Sequence, residues 1–254
     1  MDTTIHFMNC RGERLFGTHH CPDGESQYGV VLGHCFTCTR HTGILREAAA
    51  LLADAGFQVL RFDFSGNGQS EGTFIDTSYT QYITEMADAA DFLKSTGVRW
   101  LGLMGHSMGA AVSILAASRQ PGIQAVCTLA GRLTTLDPAG IFSPQQMRQL
   151  RETGRLQFIS RGRQLELDDR FLNDMRAYDI RNVVAGLNLP VLVIHGTADE
   201  IIPADQAVTA QGLNPDHLEL FMLPDADHFF SQPEHRSAAC RKIADWFTTI
   251  REKM

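Results

Sequence analysis

Along most of this chain, short apolar runs alternate with helix-length amphipathic stretches. The runs YGVVLGH (28–34), QVLRFD (58–63), WLGLMG (100–105), QAVCTL (124–129), VLVIHG (191–196) and LELFML (218–223) are mostly near-continuously apolar, which is how strands covered on both faces read. Between them the spacing predicts helices at about Leu45–Ala55, Ser78–Ser95, Met108–Arg119, Pro203–Gly212 and Ser237–Arg251. Strand followed by crossover-length helix, repeated, predicts an α/β fold with a mostly parallel central sheet flanked by helices. Ahead of these units, apolar stretches at Ile5–Met8 and Leu15–His19 flank a turn at Cys10-Arg-Gly-Glu13, the pattern of an N-terminal β-hairpin.

One interval breaks the rhythm. Residues 132–188 separate two strand candidates, and within them SPQQMRQLRE and DDRFLNDMRAYD both have helical spacing. Connections this long inside a compact domain usually have a function, and the expectation here is a small cap inserted before the strand 191–196. With no repeat, low-complexity run or linker, residues 1–254 read as one domain carrying that insertion.

Composition narrows the classes. Apolar residues make up 44% and charged residues 20% of the chain, as in ordinary globular proteins. A net charge of −7 without a Lys/Arg cluster gives no electrostatic footprint for nucleic acid or an anionic membrane. A small neutral or organic substrate fits that balance better, and a homodimer is left open. No segment is long and apolar enough to span a bilayer. The first residues, MDTTIHFMNC, lack the basic-then-apolar pattern of a secretory signal. The six cysteines (Cys10, Cys21, Cys35, Cys38, Cys127 and Cys240) are too scattered for a disulfide scaffold, so reduced thiols in a cytoplasmic protein are expected.

The candidate chemistry begins at Gly105-His-Ser-Met-Gly109. Ser107 lies between a strand candidate and an Ala-rich helix, the strand–turn–helix setting of a Gly-x-Ser-x-Gly nucleophile elbow. Side chains two places on either side would collide with strand or helix, which is why both flanking positions are glycine. An inert Gly/Ser loop is the competing reading. A serine hydroxyl needs a base. His228, in LPDADHFF, follows the last strand candidate, and Asp199, in VLVIHGTADEIIP, follows the one before. Taken singly, Asp199 could be a helix N-terminal acid and His228 a loop histidine; Glu200, Asp225 and Asp227 are weaker acid candidates. The order Ser107, Asp199, His228, with acid and base each after a strand, is that of one hydrolase class. An oxyanion site would combine the Met108 N–H with one from the loop GHCFTCTRHT after the strand 28–34.

At this point a resemblance emerges. GHCFTCTR resembles the His-Gly-Phe-Thr-type loop of small-lid α/β-hydrolases, and FDFSGNGQSEG is similar to their Asp-x-x-Gly-x-Gly-x-Ser turn through Asp63, Gly66, Gly68 and Ser70. With GHSMG, HGTADEIIP and ADHFF the resemblance runs from Tyr28 to Arg251. It is nearest to bacterial carboxylesterases of the cinnamoyl/feruloyl-esterase kind and to the hydrolase part of hydrolase–OsmC fusion proteins. The resemblance implies an α/β-hydrolase fold, a second oxyanion N–H on Phe36, and hydrolysis of short-chain or hydroxycinnamoyl-type esters through an acyl-enzyme, with no metal or organic cofactor. A peptidase or amidase, a thioesterase, or a non-catalytic receptor on the same fold are the alternatives. Haloalkane dehalogenation and epoxide hydrolysis are disfavoured because both need an aspartate at position 107.

The chain departs from that pattern twice. Cys35 stands where glycine is usual, and Cys38 makes a Cys-x-x-Cys; the pair is read as small packed residues, with a redox or metal role as the alternative. Ser65 and Asn67 replace the more frequent Arg and His in a turn that is mainly structural.

Overall fold

In the computed structural model, residues 2–137 and 141–253 are described. The hairpin β1 (Asp2–Met8) and β2 (Arg14–His20) leads into β3 (Tyr28–Gly33), β4 (Gln58–Phe62), β5 (Trp100–His106) and β6 (Ile123–Leu129). A two-stranded unit, β7 (Arg155–Ser160) and β8 (Arg163–Asp168), precedes β9 (Val191–Gly196) and β10 (Leu218–Leu223). The main sheet has the order β1-β2-β4-β3-β5-β6-β9-β10. β2 pairs antiparallel with β1 and β4, and every pairing from β4 to β10 is parallel.

The apolar runs form the centre of the sheet because helices cover both faces. Side chains alternate across β3: Val31 joins a core shared with α2 (Tyr79–Ser95) and α3 (Met108–Ala117). Val30 and Leu32 join the opposite core, under α1 (Gly43–Asp54) and α8 (Pro233–Glu252). Leu103 and Met104 split in the same way. All of β5 and all of α3 are buried, so the strand–helix junction at Ser107 stands on an enclosed part of the fold.

Between β6 and β9 lie α4 (Pro144–Thr153), the β7–β8 hairpin, α5 (Asp169–Arg176) and α6 (Ile180–Gly186); α7 (Asp205–Leu213) follows β9. The two helices expected in the interval 132–188 are α4 and α5, while residues 138–140 lie outside the described residues. The sequence reading missed the hairpin and α6. In RLQFISRGRQLELD the inward residues Leu156, Leu165 and Leu167 alternate as strands require. Their turn, however, is Arg161-Gly162, with φ of 50° and 73°, and arginine is not a residue that announces a left-handed turn. No helix among the described residues is long and apolar enough to cross a membrane.

Candidate active site

Ser107 closes β5 and opens α3 with φ 57° and ψ −114°. This strained backbone, held by the Ser107 N–H donating to the Leu129 carbonyl at 2.8 Å, lifts the side chain out of the sheet. The flanking glycines are sterically required. A Cβ on Gly105 would stand 2.0 Å from the Gly109 carbonyl oxygen, and one on Gly109 would stand 2.4 Å from that of Gly33.

Two loops bring the remaining groups to this serine. His228, after β10, places Nε2 3.0 Å from Ser107 Oγ, and its Nδ1 lies 2.8 Å from Asp199 Oδ2. Since Asp199 only accepts, the network puts the ring proton on Nδ1 and leaves Nε2 to accept from the serine hydroxyl. The Asp199 side chain is fully buried. Its Oδ1 accepts the Ile201 and Ile202 N–H groups at 2.9 and 2.8 Å. His195, beneath it, has Nε2 2.9 Å from the Ile202 carbonyl and 3.2 Å from Asp199 Oδ2. Burial opposes charge on this carboxyl, but hydrogen bonds from His195, His228 and the Ile202 N–H outweigh it and hold its pKa well below the usual carboxylate range. Asp227 instead accepts the Ser231 N–H at 2.8 Å, and Asp225 stands in a turn with its own N–H donated to Thr197 Oγ1.

Sequence reasoning missed two histidines. His106 is fully buried and donates from Nε2 to the His228 carbonyl at 2.8 Å. Burial, then the neighbouring His228, pushes its pKa down to about 3. His106 and His195 both sit at strand ends inside apolar runs, where each reads as an ordinary core residue.

Phe36 and Met108 line the same cavity as Ser107. Among the described residues neither backbone N–H has an acceptor within the protein, the condition an oxyanion donor needs before substrate arrives. The expectation of reduced, separately packed thiols at this loop is corrected: Cys35 and Cys38 are joined by a disulfide that brackets Phe36. Their Cα atoms are 5.2 Å apart, within bridging reach because the intervening turn closes with the Cys38 N–H on the Cys35 carbonyl. The other four cysteines are not in disulfides. Among the described residues, no three His, Cys, Asp or Glu side chains gather as a metal site.

The loop is tied down from behind. Asp63 accepts from the Arg40 backbone N–H at 2.6 Å and pairs with the Arg40 guanidinium, both side chains being buried. His34 donates from Nδ1 to the Cys35 carbonyl at 2.7 Å, and its Nε2 accepts the Phe64 N–H at 3.0 Å. The turn around Asp63 is thus structural, and Asn67 within it accepts from Arg163 of β8 at 2.9 Å.

Above Ser107 lies a cavity of about 460 Å³, toward the small end of ligand pockets. Phe36 is its aromatic hub, with ring centroids 5.2 Å from Phe74, 5.1 Å from Phe171 and 6.2 Å from Phe142. Of the apolar residues in the β6–β9 insertion, Ile141, Phe142, Phe158, Ile159, Phe171, Leu172 and Met175 line the cavity. Leu150 and Leu156 are buried in the core instead, and Met147 and Tyr178 pack against it.

A mostly parallel sheet with helices on both faces, carrying a strained serine between β5 and α3 and an acid and a histidine after later strands, defines an α/β-hydrolase. Residues 27–156 match the family described as serine aminopeptidase, S33, and the chain belongs to that family. The human (Homo sapiens) monoglyceride lipase is 29% identical over 136 residues, which is 52% of this chain and 44% of that one; the chain spans about half the length of the curated relatives it matches. Among solved structures, the esterase domain of a Rhodothermus marinus protein is similar with a TM-score of 0.75 and 24% identity, covering 98% of each chain. The ferulic acid complex of Est1E from Butyrivibrio proteoclasticus has a TM-score of 0.85 at 20% identity, covering 98% of this chain and 99% of that one.

Proposed function

We propose that this hydrolase-family chain is a serine carboxylesterase that cleaves short-chain or aromatic carboxylic esters through an acyl-enzyme. The observation that carries the reading is the unbroken hydrogen-bond chain from Ser107 Oγ through His228 to Asp199. In the first half-reaction His228 Nε2 takes the Ser107 proton as Oγ attacks the carbonyl carbon. Asp199 holds the imidazole in the required tautomer and stabilises its cation. The Phe36 and Met108 N–H groups receive the oxyanion, each donor contributing roughly 3 kcal/mol by the scale of known oxyanion holes. Protonated His228 then gives its proton to the leaving alcohol, and water repeats the sequence to release the acid. Residues 132–188 act in this reading as the cap that sets acyl size.

The family's description raises a peptidase reading, and the cavity wall argues for the ester. An aminopeptidase must anchor a substrate ammonium with a carboxylate, whereas the charged side chains in the described lining are Arg132 and Arg161, with no Asp or Glu. Initial rates on p-nitrophenyl acyl esters of graded length, on methyl ferulate, and on an ester with its matched anilide test the proposal. Ester turnover far above the anilide is expected; preference for the anilide overturns it. Absence of a covalent adduct at Ser107 after treatment with a fluorophosphonate would favour a non-catalytic receptor.

A further inference from the structure

Arg161 occupies the turn between β7 and β8 at φ 50°, a conformation disfavoured for any residue with a Cβ. The hairpin tip that carries it is fastened to the oxyanion loop. Ser160 Oγ lies 2.7 Å from Thr37 Oγ1, and Arg163 donates to the Thr37 carbonyl at 3.3 Å and to Asn67 Oδ1 at 2.9 Å. This anchoring brings the Arg161 guanidinium carbon to 5.1 Å from the Phe229 ring centroid. That ring in turn stands 4.9 Å from the His228 ring. Arg161 thus shares a cavity wall with Ser107 and His228.

Its electrostatic setting differs from that of its neighbours. Arg155 and Arg170 of the same insertion are paired with Glu166 and Asp168, but Arg161 has no carboxylate within salt-bridge distance among the described residues. Arg132, the other cation of the cavity wall, already donates to the Ile201 carbonyl at 3.3 Å. Arg132 also faces the negative charges of Asp137 and Asp199, whereas Arg161 brings its positive charge to the cavity wall of a chain whose net charge is −7. After burial, which dominates, Arg161 is among the charges that disfavour protonation of His34 and His106 beneath the site, so its field reaches inward.

A guanidinium presents a planar fork that matches the oxygens of a carboxylate or phosphate. Phe229, which directly follows His228, the group that protonates the departing alcohol, has its ring against both His228 and Arg161. The cluster around Phe36 makes much of the remaining described lining aromatic and apolar. We propose that the preferred substrates are esters whose alcohol portion carries a carboxylate or phosphate, and that Arg161 is the residue that reads this charge. The proposal rests on the serine-esterase reading above.

The test compares kcat/KM for 4-acetoxybenzoate, 4-acetoxyphenyl phosphate and the neutral methyl 4-acetoxybenzoate in wild type, R161A and R161E. The anionic-to-neutral ratio is expected to fall about fivefold in R161A, the scale of a solvent-exposed ion pair, and further in R161E. The larger fall between the two anions assigns the preferred group. An unchanged ratio in both variants, at unchanged urea midpoint, overturns the proposal. A parallel pair, mono-4-nitrophenyl succinate and its methyl ester, puts the charge on the acyl side; a fall confined to that pair overturns the leaving-group placement. If wild type turns over none of these esters, the esterase reading fails, and this proposal with it.

Discussion

His106 donates its Nε2 proton to the carbonyl of His228 at 2.8 Å, so the residue before Ser107 fixes the backbone of the residue bonded to Ser107. The contact links the strand β5 to the loop after β10, and without it that loop has one fewer tether at the point where the imidazole must stay aimed. His106→Phe keeps the ring volume and removes the donor. It is expected to lower kcat about tenfold with little change in KM, because small misplacements of a catalytic group are costly. His106→Gln, which retains a donor, should recover part of the loss. Equal kcat in wild type and H106F would make the contact a packing detail.

The two buried histidines also predict an acid-sensitive fold. Burial lowers His34 to about 4 and His106 to about 3 from an ordinary 6.5. Below pH 6.5 the unfolded chain binds protons that the folded state refuses, so stability is full above that pH and is lost as the pH falls toward 4. At pH 5 the loss is about 2 kcal/mol for each histidine. The urea midpoint should drop markedly between pH 7 and pH 5, and His34→Gln should flatten the dependence by about half. Identical midpoints at the two pH values would contradict the burial of neutral imidazoles.

Asp199 predicts a purely functional loss. Asp199→Asn keeps the shape but removes the charge that stabilises the His228 cation and reverses the preferred tautomer. By the scale of a triad aspartate, kcat should fall about 10⁴-fold with native circular dichroism. A loss of less than tenfold would show that Asp199 does not orient His228.

The Cys35–Cys38 bond predicts a thiol count. Unfolded in denaturant without reductant, the protein should titrate the four cysteines outside the disulfide, Cys10, Cys21, Cys127 and Cys240, and all six of the chain after reduction. Six thiols before reduction would remove the disulfide from around Phe36.

What could be read in advance follows from how each feature is encoded. The central strands and the junction at Ser107 are written in local pattern: apolar runs long enough for one meaning, and glycines that only a close backbone approach requires. Asp199 and His228 follow strands, so the sheet topology delivers them to Ser107 once the strands are in order. The β7–β8 hairpin was illegible because its turn rests on Arg161 in a left-handed conformation, stabilised by contacts with Thr37 and Asn67 far away in sequence. His106 and His195 read as core residues because each sits inside an apolar strand run and bonds a backbone carbonyl, of His228 and Ile202 respectively, which no side-chain pattern records. The charge of −7 is compatible with a small neutral or organic substrate, but net charge carries no information on where charges converge, and Arg132 and Arg161 meet on the wall of the reaction cavity.

Ser107 as the nucleophile is tested most directly by the kcat/KM of Ser107→Ala for the best p-nitrophenyl ester, made on protein with a wild-type urea midpoint. A fall of at least about 10⁴-fold is expected, as for removal of other triad serines. Near-wild-type turnover in the folded variant would contradict the assignment.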